Sequence, residues 1–158
     1  MVLALLKIKY MRLIKNREII TDSWTQIADD TIIPNGDIIV TYNRWLTDKE
    51  TLLNHAGSIG VSINIEDDLD ALLSDLEHFS LIALNFAVFT DGRNFSRAQL
   101  LRDRYQFKGE IRAVGGFHRD QVYYLSRVGF NAFVLTDQDD SQAEGLLSAL
   151  DEFTVYYQ

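Results

Sequence analysis

Cysteine is absent from this 158-residue chain, and proline occurs once, at Pro34. The lack of cysteine excludes disulfides, thiol catalysis and iron–sulfur clusters held by cysteine thiolates of this chain. No apolar run approaches the roughly 20 residues that a membrane span requires, so we expect no membrane segment. The apolar run at residues 1–6 is too short for a signal peptide and has no basic residues before it, so we expect a cytoplasmic protein.

Apolar residues make up 47% of the chain and charged residues 24%, which is typical of a folded globular protein. The length suits one domain. A second methionine, Met11, opens the polar-apolar pattern that continues through the chain. We therefore expect residues 1–10 to be an upstream extension and residues 11–158 to form a single α/β domain.

The net charge of −8 is unevenly spread. Residues 18–90 carry thirteen acidic and two basic side chains, whereas residues 91–130 carry eight basic and four acidic ones. An acidic total disfavours nucleic acid as a partner, because phosphate backbones attract positive surfaces. The basic segment has two interpretations: ordinary arginines on helix surfaces, or a surface for a small anion or an acidic partner.

Strand-like and helix-like segments alternate from residue 37 onward. Short apolar or β-branched runs predict strands, at residues 37–42, 60–65, 81–86, 111–114, 132–135 and 153–157. Capping-box spacings predict helix starts, at Thr47, Ser96 and Ser141. A helix is predicted over residues 119–128, ended by Gly129. A polar turn at residues 15–17 predicts a small N-terminal hairpin.

This alternation predicts parallel strands joined by right-handed crossovers. A closed eight-stranded barrel typically needs about 250 residues, so we expect an open, mainly parallel sheet of five to six strands with helices on both faces. A partial βα-barrel is the alternative. In either fold we expect Leu84, Val114 and Phe133 to be buried.

Two loops after predicted strands carry the candidate binding residues, because ligands of parallel sheets bind beyond the carboxyl ends of the strands. Arg93 comes just before a predicted helix start, where unpaired N–H groups favour an anion. His118 and Arg119 follow a Gly-Gly pair after the next strand. If the two strands are neighbours, these side chains line one cleft. The predicted anion- or partner-binding residues are Asp91, Arg93, Ser96, His118, Arg119, Asp120 and Gln121.

The structural interpretation of the same residues is an ion-pair network with Ser96 as a helix cap and Arg119 paired with Asp91 or Asp120. No catalytic residue is identified, since no nucleophile elbow or phosphate-loop motif is present. The histidines lack metal-ligand spacing, so no metal site is predicted. The aromatic residues near the C-terminus suit a core or a subunit interface, which leaves a homo-oligomer open.

Several segments together resemble an uncharacterised bacterial family whose members are encoded beside the sulfite reductase haemoprotein. The resemblance covers residues 11–158 and is densest at residues 81–135. Its segments are FTDGRxxS at 89–96, LLRxRY at 100–105, KGExRAVG at 108–115, RDQ at 119–121 and RVGFxAF at 127–133. The opening, LIKN at 13–16 and DSW at 22–24, also fits.

The resemblance implies a role in assimilatory sulfite reduction, since members of the family are labelled as oxidoreductases of that process. It supplies no catalytic residues. Six-electron reduction needs metal or flavin centres, and no site for one is visible in the sequence. We therefore expect an accessory protein that binds the sulfite reductase haemoprotein or a small oxyanion. The alternatives are a small enzyme acting on an anionic metabolite, and a redox protein with a loosely bound flavin or nicotinamide.

Overall fold

A computed structural model describes residues 12–87, 92–135 and 143–150, and eight strands within them form one sheet. The strands are β1 (Arg12–Lys15), β2 (Glu18–Thr21), β3 (Thr25–Gln26), β4 (Ile38–Thr41), β5 (Ile59–Ile63), β6 (Leu81–Phe86), β7 (Glu110–Gly115) and β8 (Ala132–Val134). Their order in the sheet is β2-β1-β8-β7-β6-β5-β4-β3. Strands β3 to β8 are all parallel, while β1 is antiparallel to both β2 and β8.

Helical segments connect the parallel strands. They are α1 (Tyr42–Leu53), a 3-10 helix (Leu69–His78), α2 (Arg93–Asp103) and a short 3-10 turn (Arg119–Gln121) that leads directly into α3 (Val122–Val128). A further helix, over residues 143–150, follows β8. Each connection returns the chain to the start of the next strand in the sheet, so the crossovers all step in the same direction.

This order corrects the predicted open sheet. Right-handed crossovers that keep stepping in one direction place their helices on one face of the sheet. Helices on both faces would require the strand order to reverse part-way, and the order of the parallel strands does not reverse. The prediction of an α/β protein with a mainly parallel sheet is confirmed, and the described residues form eight strands rather than five or six. The partial-barrel alternative fits the sheet, which is a half-barrel.

The sheet is curled, and its connectivity requires this. The edge strands β2 and β3 are joined by only three residues, 22–24. A flat eight-stranded sheet would hold its edges about 33 Å apart, because neighbouring strands lie about 4.8 Å apart. The segment from Thr21 to Thr25 spans at most about 14 Å. The two edges must therefore curve towards each other, with the linker on the concave side.

The two faces of the sheet have different compositions. On the convex face, residues of alternate strand positions pack under the helices in the main core, among them Val61, Leu84 and Ile111 with Trp45 of α1 and Leu101 of α2. Burial of each such side chain stabilises the fold by about 1.5–3 kcal/mol. The concave face holds a second, smaller cluster of Ile39, Leu81 and Ala83, against which Trp24 and Val114 pack.

Several local predictions are confirmed and others are wrong. The N-terminal hairpin is present, with Asn16 and Arg17 in its turn. Leu84 and Phe133 are buried, whereas Val114 is half-exposed. Gly129 follows α3 with a φ of 126°. The strand predicted at 153–157, the cap predicted at Ser141 and residues 1–10 lie outside the described residues.

Two predicted helix starts are wrong. α1 begins at Tyr42, where the side chain of Thr41 accepts a hydrogen bond from the Arg44 N–H, and not at Thr47. The predicted start coincides instead with a kink at Asp48 inside this helix. α2 begins at Arg93, three residues before Ser96. α1 follows β4 directly, since Thr41 is both the last strand residue and the helix cap. Both helices begin ahead of the residue with capping-box spacing.

Candidate functional site

The two loops predicted to form a site follow neighbouring strands. β6 and β7 pair in parallel along their whole length, from Leu81 opposite Glu110 to Phe86 opposite Gly115. The Gly116 N–H donates to the Phe86 carbonyl at 2.7 Å, which extends this pairing into the loops. The two strands are therefore neighbours, which is the condition under which we expected the two loops to line one cleft. Asp91 and the side chain of Arg119 lie outside the described residues.

The start of α2 lies at the carboxyl edge of the parallel strands. Arg93 is the first residue of this helix, and its side chain is exposed. Gly92 precedes it without a side-chain cap, and Ser96 is exposed within the first turn. Backbone N–H groups at a helix start lack intrahelical partners and carry the positive end of the helix dipole. Arg93 and the helix start thus supply positive charge at the same edge.

Residues 118–121 form a turn that two hydrogen bonds between His118 and Gln121 close. The His118 N–H donates to Gln121 Oε1 at 2.9 Å, and the Gln121 N–H donates to the His118 carbonyl at 2.9 Å. His118 and Asp120 are exposed, and Gln121 is half-buried. Gln121 therefore orders the turn after β7 with its side-chain oxygen, a structural role that the sequence did not predict for it.

Three asparagines that the sequence analysis missed join the ends of β5 and β6 to α2. Asn85 Nδ2 donates to Asn64 Oδ1 at 2.9 Å, directly across the carboxyl edge. Asn94, which is fully buried, donates from Nδ2 to the Asn85 carbonyl at 3.0 Å. The helix start that carries Arg93 is thereby fixed against the end of β6. The signal was available, because Asn64 and Asn85 are polar residues next to the carboxyl ends of the predicted strands 60–65 and 81–86.

Arg97 fixes the loop after β5 from one turn further along α2. Its guanidinium donates to the carbonyls of Asn64 and Ile65, each at 2.9 Å, and to the Asp67 carbonyl. Because its donors are directed at main-chain oxygens, this arginine has a positioning role. Its charge also adds to the positive potential around the helix start.

Gly115 is needed where β6 and β7 come together. Its φ of 94° lies in the left-handed region, and a Cβ there would come within 2.6 Å of the Phe86 carbonyl oxygen and 2.7 Å of Asn85 Oδ1. A side chain at this position would displace the Asn85 amide. Gly115, the first glycine of the Gly-Gly pair, is therefore required for the close approach of β6 and β7. The second glycine, Gly116, is exposed.

Other chemistry is not visible in the part of the chain that the structure describes. No three His, Asp or Glu side chains there are grouped so that they could hold a metal ion. No helix among those residues is long and apolar enough to cross a membrane. At the other end of α2, Arg102 is half-buried, and burial lowers its pKa. It donates to the carbonyls of Phe107, Gly109 and Gly129, which makes it part of the scaffold.

The family model described as a bacterial protein of unknown function, DUF934, matches residues 60–158. The chain belongs to the DUF934 family. No curated protein matches it. The DUF934 segment begins in β5 and includes the carboxyl ends of β5, β6 and β7 together with α2, so the polar network described above lies within it. The hairpin, β3 and β4 precede the DUF934 segment and complete the curled sheet.

Proposed function

We propose that this DUF934 protein is a non-catalytic accessory protein of sulfite assimilation that binds a small oxyanion at the carboxyl edge of its half-barrel. One observation carries the proposal: α2 begins with the exposed Arg93 and is held against the ends of β5 and β6 by Asn94 and Arg97. Ligands of parallel βα folds bind at this edge. A charge-assisted hydrogen bond from Arg93 would add about 1.5–3 kcal/mol to anion binding.

The proposed role in sulfite assimilation rests on the resemblance stated above. The proposed partner is the sulfite reductase haemoprotein, and the protein would act in the cytoplasm. A chain without cysteine has no thiolate with which to hold an iron–sulfur cluster, which supports an accessory role beside the reductase. A pull-down from the native cell with the full chain as bait tests this partner. Recovery of a sirohaem protein is expected, and its absence in repeated experiments contradicts the proposed partnership.

Anion binding is tested by calorimetric titration with sulfite, sulfate and phosphate. Arg93→Ala should weaken the binding of at least one of these anions about tenfold or more. Arg104→Ala is the matched control, because Arg104 is exposed at the other end of the same helix. Both variants should unfold close to the wild-type temperature. If none of the three anions binds the wild-type protein, the proposed function is wrong.

A small enzyme acting on an anionic metabolite is the second candidate. It is favoured by the exposed His118 in the loop after β7, since an imidazole can act as a general acid or base and active sites of βα-barrels lie at this edge. Turnover of an anionic metabolite that disappears in His118→Gln, with anion binding unchanged, would support this candidate over the accessory role.

A further inference from the structure

The residues on the concave face of the half-barrel are more buried at the amino ends of the strands than at their carboxyl ends. Strand register places Ile39, Gly60, Leu81 and Glu110 side by side on this face, and all four are buried. Nearer the carboxyl edge Thr41, Ser62, Asn85 and Val114 are half-exposed, while Ala83 and Arg112 on the same face stay buried. The concave face is therefore filled at one end and open at the other.

Trp24 forms the floor of this open end. It belongs to the three-residue linker between β2 and β3, and it packs on the cluster of Ile39, Leu81 and Ala83. Trp24 itself is only half-buried, so the residue is not fully covered by its neighbours. An indole ring at the base of a concave surface offers an apolar face for a flat ligand to stack on.

Three polar groups above this floor have no partner among the described residues. The Ser62 hydroxyl makes no hydrogen bond there, and the amide pair of Asn64 and Asn85 leaves Asn64 Nδ2 and Asn85 Oδ1 unpaired. Exchanging the oxygen and nitrogen of both amides would still leave one donor and one acceptor. Uncharged groups that both donate and accept, set around an aromatic floor, suit a molecule with hydroxyl groups and an apolar face.

We propose that the open end of the concave face binds a small hydroxylated molecule that carries one anionic group. We call this surface, which Trp24, Ser62, Asn64 and Asn85 line, the mouth. The hydroxyl groups of the molecule bond to Ser62, Asn64 and Asn85, its apolar face lies on Trp24, and its anionic group lies at Arg93. The Asn94–Asn85 hydrogen bond keeps the helix start adjacent to the mouth, which allows one ligand to reach both. This inference rests on the proposed anion site and deepens it, because it names an organic ligand in place of an inorganic ion.

The test compares ribose 5-phosphate, inorganic phosphate and ribose as calorimetric probes of the full chain. Ribose 5-phosphate should bind at least tenfold more tightly than phosphate. It should also change the fluorescence of Trp24, one of only two tryptophans in the chain, and the change should be absent in Trp24→Phe. Ser62→Ala should reduce the affinity for ribose 5-phosphate by about tenfold while the affinity for phosphate stays unchanged.

Ser80→Ala is the matched control for this series, because Ser80 is exposed just before β6, at the opposite edge of the sheet. It should bind all three probes as the wild type does. If phosphate binds as tightly as ribose 5-phosphate, the organic ligand is excluded while the anion site stands. If Ser62→Ala binds ribose 5-phosphate normally, the ligand does not lie in the mouth. If neither ribose 5-phosphate nor phosphate binds, this inference is wrong, and the sulfite and sulfate titrations alone decide the proposed anion site.

Discussion

Arg112 is a buried cation whose charge is balanced from two sides within the curled sheet. It lies on the concave face of β7, and only 3% of the residue is exposed. Its guanidinium pairs with Glu110 at 2.7 Å and with Asp22 of the β2–β3 linker at 2.9 Å. Lys15 of β1 bonds to the same Glu110 at 3.1 Å. The network therefore ties the hairpin, the linker and the centre of the sheet together.

Arg112→Ala should destabilise the protein by about 3–5 kcal/mol, because it leaves two carboxylates in the interior without their shared cation. Urea denaturation measures this loss. Arg104→Ala serves as the control, since its side chain is exposed, and it should change the free energy of unfolding by less than about 0.5 kcal/mol. Equal denaturation midpoints for the two variants would show that the buried network contributes nothing.

Asp75 is a second buried charge, on the convex side of the sheet. Burial alone would raise the pKa of its carboxyl. Hydrogen bonds from Lys49 and Trp45, together with the charges of Lys49 and His78, outweigh burial and hold the pKa below its ordinary value. Because the folded-state pKa lies below that of the unfolded chain, the carboxylate stabilises the fold above about pH 4. This stabilisation is lost as the pH falls through the folded-state pKa.

Asp75→Asn should therefore be less stable than the wild type by about 1–3 kcal/mol at pH 7. The difference should persist from pH 7 down to pH 5 and shrink below about pH 4, where the wild-type carboxyl also becomes protonated. Urea denaturation across this range measures it. Asp103→Asn, exposed at the end of α2, should show a small difference at every pH. A difference for Asp75→Asn that grew at acid pH would contradict the assignment.

Single-residue roles could be predicted from the sequence only where they depend on local position. Glu110 and Arg112 alternate with apolar residues in β7, but nothing in the sequence shows that a linker 90 residues away supplies Asp22. Similarly, Arg93 was identified because it precedes a helix. The donors of Arg97 point at carbonyls of another loop, and only the three-dimensional packing of α2 reveals that.

At the scale of elements, the turn of the N-terminal hairpin is formed by two residues that are not glycine. Asn16 has a φ of 51° and Arg17 a φ of 68°. A two-residue turn with both central residues in the left-handed region matches the twist of the strands, and the second position usually holds glycine. Arg17 therefore occupies a backbone conformation that a β-carbon disfavours.

Arg17→Gly should stabilise the protein by about 0.5–1 kcal/mol, because relief of the left-handed conformation exceeds the entropy that glycine adds to the unfolded chain. Thermal and urea denaturation measure the gain. Arg17→Ala removes the same guanidinium but keeps the β-carbon, so it should show no gain. If the alanine variant is stabilised as much as the glycine variant, the backbone conformation is not the cause.

Most strands were predictable, because each is a short β-branched or apolar run between polar turns. The prediction at residues 81–86 matches β6, and the other parallel strands with a predicted counterpart among the described residues differ by one or two residues at their ends. β3 was missed because Thr25–Gln26 has no apolar pattern of its own and is held only by pairing with β4. The helix start at Tyr42 was missed because α1 follows β4 directly, with the last strand residue, Thr41, as its cap. The start at Arg93 was missed because Gly92, the residue before it, makes no side-chain cap hydrogen bond.

At the scale of the whole molecule, local patterns could not decide between an open sheet and a half-barrel. Both consist of the same alternation of strands and helices, and they differ in the direction that successive crossovers take. One signal was present in the composition of the strands. A sheet covered by helices on both faces has apolar residues on both, whereas Gly60, Ser62, Asn85 and Arg112 interrupt the apolar residues of this sheet's concave face.

The pairing of the N-terminal hairpin with β8 makes the topology testable by a disulfide. Leu13 lies opposite Val134, and the two residues form a non-hydrogen-bonded pair of this antiparallel ladder. Such positions have the shorter Cα–Cα separation and suit a disulfide. Since the chain has no cysteine, Leu13→Cys combined with Val134→Cys introduces only one possible intramolecular bridge.

This bridge should form quantitatively on mild oxidation and should close a loop of more than a hundred residues. Loop-closure entropy predicts a stabilisation of about 4–5 kcal/mol for the oxidised form relative to the reduced form of the same variant. Comparing the two forms by urea denaturation removes the effect of losing the two apolar side chains. Leu13→Cys alone should show no such difference. If the double variant stays reduced or forms only intermolecular disulfides, β1 does not lie beside β8, and the N-terminal hairpin does not extend the sheet at that edge.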